Sequence, residues 1–337
     1  MPQRVGRYTL KLDTQPVITG YGAIVGKKEG AGPLAKHFDK IYDDTTLGLE
    51  TWEKTESAML KEAIQTAMDK AGVSYSDVDY IFAGDLLNQC ISSTYGIRDM
   101  NIPFIGVYGA CSTMALSLAL SSCFVDAGLA STCAAATSSH FCSAERQFRF
   151  PLEYGSQRTP ASQWTVTGAG SAVVQNTGQG VRIQQVCFGQ VVDKGITDIN
   201  NMGAAMAPAA AQTLENFFDD TGTMPDDYDM ILTGDLGSIG SQLVEELLKK
   251  ENFDISKQHT DCGLLIYNPC DGDINAGASG CGCSASVLCS YILKRMEEKM
   301  LKNILFCATG ALMSPTSNQQ GETIPGVAHL VHLVCPE

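Results

Sequence analysis

Two stretches of the chain carry the same residues in the same order, and this duplication limits the fold more than any other feature of the sequence. Asp79, Ile81, Gly84, Asp85 and Leu86 recur as Asp229, Ile231, Gly234, Asp235 and Leu236, each pair 150 positions apart. Cys111-Ser112 and Ala136-Thr137 recur as Cys283-Ser284 and Ala308-Thr309, each 172 apart, so the second copy holds 22 additional residues. At that offset Gly109 and Ala110 fall opposite Cys281 and Gly282, and the identity stops upstream of the cysteine. Short matches in one order with shared spacings point to a duplicated βα unit, residues 1–178 forming one half and 179–337 the other.

Within each half, short apolar runs alternate with helical patterns, which predicts an α/β fold with helices layered around mixed sheets. The first half predicts strands over 17–25, 79–84, 102–108, 131–138 and 171–176, with helices over 51–71 and 112–127. In the helix over 51–71, Leu60, Ile64, Ala67 and Ala71 share one face, Glu53 and Glu56 suit the first turn, and Gly72 stops it. The second half predicts strands over 181–192, 230–234, 264–267, 303–309 and 327–334, and helices over 208–219, 238–250 and 284–300. The stretch 101–125 has no charged residue, yet Pro103, Gly106, Gly109 and several serines divide it into a buried strand, a turn and a buried helix rather than a membrane span.

Composition excludes several classes of function. Lys and Arg total 23 against 37 for Asp and Glu, and a formal charge of −14 repels nucleic acid and anionic lipid alike. The 13 cysteines are odd in number and include Cys133, Cys187, Cys289 and Cys307 inside apolar runs, so they read as reduced, buried thiols. No CxxC pair occurs, and Cys281-x-Cys283 without a nearby histidine lacks zinc spacing, so no metal site is expected. The first residues have no apolar core of signal-peptide length, so no signal peptide is expected either.

Gly109-Ala110-Cys111-Ser112-Thr113 sets a cysteine between a buried strand and the first turn of an apolar helix. A helix N-terminus stabilises a thiolate or an anion, and a tight junction also suits a small buried cysteine. Together with the strand and helix order, this resembles the thiolase superfamily, whose two βαβαβ halves build an α/β/α/β/α stack. That resemblance puts Cys111 at the nucleophile position opening the first central helix. The superfamily's catalytic histidine, and the histidine or asparagine before the second central helix, do not carry over. Those places hold Thr233-Gly234-Asp235 and Gly280-Cys281-Gly282-Cys283, and none of His37, His140, His259, His329 and His332 falls there. Condensing chemistry loses its base and its oxyanion donor.

A closer set of motifs covers nearly the whole chain. These include Ala83-Gly84-Asp85-Leu86-Leu87-Asn88-Gln89, Ala136-Thr137-Ser138-Ser139-His140, Ala144-Glu145-Arg146-Gln147-Phe148-Arg149, Met206-Ala207-Pro208-Ala209-Ala210-Ala211 and Ala308-Thr309-Gly310-Ala311-Leu312. They are similar to those of the stage V sporulation protein AD family, thiolase-like proteins of spore-forming bacteria. The resemblance implies binding of dipicolinic acid (pyridine-2,6-dicarboxylic acid), free or as its calcium chelate, for uptake into the developing spore and release at germination. It implies no enzymatic activity and no cofactor beyond calcium carried in the chelate. It also implies a homodimer, membrane-associated stage V sporulation proteins as partners, and a peripheral place at the spore inner membrane in an otherwise cytoplasmic protein. The alternative is a thiolase or ketoacyl-synthase type of acyl-transfer enzyme using Cys111.

The candidate ligand-binding set is Asp85, Asn88, Cys111, Ser112, His140, Arg146, Asp235 and Cys283, with Cys111 and Asp85 fixed by the resemblance. Asp85 and Asp235 each follow an apolar strand, where each either caps the next helix or joins a shared acidic site around calcium or a ligand proton. His140, Arg146, Arg149 and Arg158 gather basic character in a loop-like region, where an arginine fork suits carboxylates and equally suits surface ion pairs. Residues 150–160 read as an exposed loop between the halves, and the strand over 102–108 as the edge that pairs two copies.

Overall fold

In a computed structural model, which describes residues 1–148, 158–268, 272 and 274–335, the duplication is visible strand by strand. The first half contributes β1 (Val17–Gly26), β2 (Tyr80–Asp85), β3 (Phe104–Gly106), β4 (Thr132–Ser139) and β5 (Gly168–Gln175), in the spatial order β1-β5-β4-β2-β3. The second contributes β6 (Val181–Cys187), β7 (Met230–Thr233), β8 (His259–Asp261), β9 (Asn303–Ala311) and β10 (Gly326–Val334), in the matching order β6-β10-β9-β7-β8. In each half the two strands beside the edge run parallel and the rest antiparallel. β1 and β6 meet edge to edge through the pairs Ile18 with Val181 and Val17 with Arg182, so the two sheets are continuous.

The helices are α1 (Trp52–Ala71), α2 (Ile91–Ile97), α3 (Thr113–Asp126), α4 (Phe141–Phe148), α5 (Met202–Thr221), α6 (Gly237–Lys250) and α7 (Cys281–Val287). Even the stops of α1 and α5 repeat at the 150-residue offset. Thr51 and Asn201 accept backbone N–H bonds as N-caps, and Gly72 and Gly222 end the helices at φ of +68° and +66°. α1 covers the outer face of the first sheet and α5 that of the second, while α3 and α7 lie between the sheets. α3 rests on β4 and β2 of its own half and on β9 and β10 of the other; α7 rests on β5, β4 and β1 of the opposite half. A helix enclosed on both sides needs no polar face, which is why α3 carries no charge before Asp126.

Several local expectations are corrected. The strand expected over 264–267 is a helical turn, Cys262–Leu265, and the strand lies upstream at His259–Asp261. Among the described residues β8 pairs only with β7, so a polar sequence suffices at that edge, whereas the apolar run that suggests a strand packs as a turn beneath it. The basic region after β4 is the helix α4 rather than a loop, and Arg149 lies outside the described residues, as does most of the expected loop over 150–160. α5 begins at Met202 and runs through Pro208, which helix-breaking logic places at its start. α7 begins at Cys281 and is continued by a π turn over Leu288–Ile292 and a further helical turn over Leu293–Glu297.

Candidate functional site

The central helices bring Cys111 and Asp235 together from opposite halves. Ahead of α3, Ala110 takes a left-handed φ of +50°, and the turn is fastened by the Ser112 hydroxyl on the Gly109 carbonyl at 2.6 Å and the Thr113 hydroxyl on the Ala110 carbonyl at 2.6 Å. β9 packs directly on this turn, because a Cβ added at Gly310 would lie 2.2 Å from the Gly109 carbonyl oxygen. Asp235, at the end of β7, is fully buried. Its Oδ2 accepts from the Gly280 amide at 2.8 Å and the Ser279 hydroxyl at 3.2 Å, and its Oδ1 from the Thr309 hydroxyl at 2.8 Å. The Cys111 thiol lies near enough to the same carboxylate to feel its charge.

This pairing works against a nucleophile. Burial first, and the Asp235 charge second, hold the Cys111 thiol well above its usual range. Burial pushes the Asp235 carboxyl up to about 7. At neutral pH the pair therefore favours a neutral thiol next to a carboxyl that takes and releases a proton, the opposite of a thiolate activated by a base. No histidine lines the cavity in front of Cys111. His140 bonds the Thr45 carbonyl, His259 bonds Thr233 and Glu245, and His332 bonds Gln185 and Asn303.

That cavity, of about 70 Å³ and partly open to solvent, lies between the halves. Leu86, Ala144, Phe148, Met202 and Met313 give it apolar walls, and Tyr108, Ser162, Gln163, Asn200 and Ser279 its polar ones. Among the described residues lining it, Glu145 alone carries a charge, and it is ion-paired to Arg158 at 2.6 Å. Gln163 fastens the wall to the second half, its Nε2 donating to the Asp235 and Ala278 carbonyls at 2.7 Å each. Those two bonds fix the amide's orientation, and its buried Oε1 is left without a donor among the described residues.

Asp85, the counterpart of Asp235, turns the other way. Its Oδ1 accepts from the Leu87 amide at 2.9 Å, and its Oδ2 from the Ser93 amide and hydroxyl at 2.8 and 2.7 Å, so it anchors the start of α2. Behind it lies Glu56 of α1, held by the Ser138 and Ser143 hydroxyls at 3.2 and 2.8 Å. Burial, then the Asp85 charge, pushes Glu56 up to about 8.

Comparison with known proteins decides the family. The family model of stage V sporulation protein AD matches residues 6–334. The chain belongs to the stage V sporulation protein AD family. A relative of that name from Bacillus subtilis (strain 168) is 44% identical over 324 residues, which cover 96% of each chain. Among solved structures, acetamide-bound OleA of Xanthomonas campestris superposes with a TM-score of 0.62 at 10% identity, covering 99% of this chain and 100% of that one. The 3-oxoacyl-[acyl-carrier-protein] synthase III of Aquifex aeolicus VF5 superposes with a TM-score of 0.56 at 13% identity, covering 95% and 99%. This family member therefore has the thiolase-like fold.

Against the family's expected pocket, the structure brings only part of the candidate set together. Cys111 lines the cavity and Asp235 stands behind it; Ser112 is spent on the α3 turn. Asp85 points away from the cavity, held by the Leu87 and Ser93 amides at the start of α2. Cys283 is buried, its thiol facing the Gly234 carbonyl at 3.8 Å. Asn88 and Arg146 lie together on a separate outer groove, where Arg146 pairs with Glu53 and stacks over Trp52. His140 is buried against Thr45. Sequence reasoning missed Gln163, Glu56 and Glu145. A polar residue in an irregular segment and glutamates in helical patterns carry no mark that separates a buried role from a solvated one.

Proposed function

We propose that the chain binds dipicolinic acid in the cavity beside Cys111 and catalyses no condensation. Family membership supplies the sporulation setting, and the observation that carries the ligand form is the cavity wall. Among the described lining residues there is no Lys, Arg or His; the wall offers Glu145, the donorless Gln163 Oε1 and, behind Cys111, Asp235. A dicarboxylate arriving alone would meet the like charge of Glu145 and, among the described lining residues, no cation to balance its own, only neutral hydroxyl and amide groups such as those of Tyr108 and Asn200. Its calcium chelate is neutral, and the metal's open coordination positions suit oxygen atoms such as Gln163 Oε1. No group of three or more His, Cys, Asp or Glu able to hold a metal occurs among the described residues, so calcium would be held chiefly by the ligand.

Calorimetric titration with dipicolinate, with and without calcium, tests this reading. The chelate should bind more tightly than the free dianion, and Gln163→Met should weaken the chelate by about tenfold, as for a lost polar contact in a dry pocket. Equal affinity for both forms, unchanged in Gln163→Met, would place the ligand elsewhere. Acetyl-CoA and acetoacetyl-CoA should not be turned over; turnover abolished by Cys111→Ala would favour the acyl-transfer reading instead.

The same reading includes a two-fold homodimer through the β3 edge and a peripheral place at the spore inner membrane with other stage V sporulation proteins. Its supports are family membership and two structural facts. β3 pairs only with β2 among the described residues, and no described helix is long and apolar enough to cross a membrane. Light scattering that gives a mass of 36.0 kDa at micromolar concentration would rule out the dimer.

A further inference from the structure

The parallel registers of the two edge strands reveal why two equivalent aspartates face opposite ways. Ala83 of β2 pairs with Gly106 of β3, and Thr233 of β7, the residue 150 positions on from Ala83, pairs with Asp261 of β8. Gly106 and Asp261 therefore occupy the same place in the two halves. Asp261 is fully buried, and it receives the Gly237 and Gly263 amides on Oδ1 at 3.0 Å each. Its Oδ2 takes the Leu236 amide at 2.9 Å and the Thr233 hydroxyl at 2.7 Å. Gly237 is the counterpart of Leu87 at the 150-residue offset, and in the first half the Leu87 amide is taken by Asp85 itself.

We propose that Asp261 is the positioning residue of the cavity: by taking the Gly237 amide, it releases Asp235 from the anchoring duty that Asp85 performs and lets Asp235 face Cys111. Where the first half has Gly106, no side chain can take over, and Asp85 stays with α2. The assignment concerns the site rather than its ligand, so Cys111 itself supplies the readout, and a failure of dipicolinate binding leaves it untouched. The titratable groups around Cys111 among the described residues are Asp235 between β7 and α6, Cys281 and Cys283 in α7, Tyr108 ahead of α3, and Glu145 of α4 across the cavity.

The test is the pH profile of Cys111 alkylation by iodoacetamide, read on the Cys111 peptide by mass spectrometry, in folded full-length protein. Asp235→Asn removes the adjacent charge and should move the profile to lower pH, so that alkylation at pH 8 becomes about tenfold faster if the profile moves by one pH unit. Asp261→Gly copies the first half, so Asp235 should swing to the Gly237 amide and the profile should move in the same direction. Asp261→Asn keeps an Oδ1 for that amide and should stay at the wild-type profile. The double variant Asp235→Asn with Asp261→Gly should match Asp235→Asn alone. If Asp261→Gly does not fold, Asp261→Ser, too short to reach all three amides, takes its place. A wild-type profile in Asp261→Gly or Asp261→Ser would overturn the proposal. So would equal movement of the profile in the Asn and Gly variants, or a double variant whose profile moves further than that of Asp235→Asn.

Discussion

The two halves share a backbone and not an interior. At the 150-residue offset Glu56 of α1 answers to Met206 of α5, and Ser93 to Leu243; at the 172-residue offset Ser138 of β4 answers to Gly310 of β9. The first half thus carries two buried polar clusters side by side, Glu56 with Ser138 and Ser143, and Asp85 with Ser93. In the second half the same places are apolar or empty, and the remaining acid, Asp235, is turned across the molecular centre to Cys111. Caps, stops and strand order survived duplication because backbone groups must be satisfied in either copy. The buried glutamate and a serine that bonds it are replaced together, Glu56 by Met206 and Ser138 by Gly310, since a buried acid left without partners costs more than its replacement by carbon.

Exchanging residues between the halves should break this arrangement in graded steps. The largest effect is expected from Gly310→Ser, which imports the residue of the first half. Its Cβ would meet the Gly109 carbonyl at 2.2 Å, so denaturant unfolding should show a loss of about 3 kcal/mol or more, or no folded protein at all. Retention of wild-type stability would mean that β9 does not pack on the Cys111 turn. Next comes Asp85→Ala, which leaves the Leu87 and Ser93 donors buried without an acceptor, at roughly 2–4 kcal/mol. Dipicolinate affinity in that folded variant should stay within about twofold of wild type, because Asp85 faces away from the cavity.

A smaller effect concerns pH. Glu56 is held up to about 8 by burial and by Asp85, well above its value in an unfolded chain. Between those two values the folded state keeps a proton that the unfolded state has lost, so stability should fall as pH rises from about 5 to 8 and level off above. Glu56→Gln should flatten that slope and gain relative to wild type at pH 8. A slope unchanged in Glu56→Gln would show that another group sets it, with Asp235, held up to about 7, next in line. The smallest change should come from Cys111→Ala, about 1 kcal/mol in unfolding free energy, since the thiol is a small, packed, neutral group and not an ionised one.

Much of this could be read in the residues. The offsets of 150 and 172 gave the paired halves, and apolar runs located most strands within a residue or two. Cys111 stood out because a glycine-led turn opens an uncharged helix. What could not be read was the direction in which Asp85 and Asp235 turn, because that depends on Gly106 and Asp261, residues on edge strands more than 20 positions away. β8 itself was hidden by its polar sequence. Glu56 looked like an ordinary first-turn acid on α1, and only the arrival of β4 and α4 above it encloses it with serines.

The placement of α3 and α7 has an evolutionary consequence. Each central helix is covered on one side by strands of the other half, so neither copy alone can close its own core. A single ancestral copy would have been viable only as an intertwined pair, and fusion turned an association that depended on concentration into one fixed by the chain. Severing the connection between β5 and β6 should therefore yield two fragments that stay unfolded apart and reassemble when co-expressed. Independent folding of either fragment would argue that the paired stage never existed.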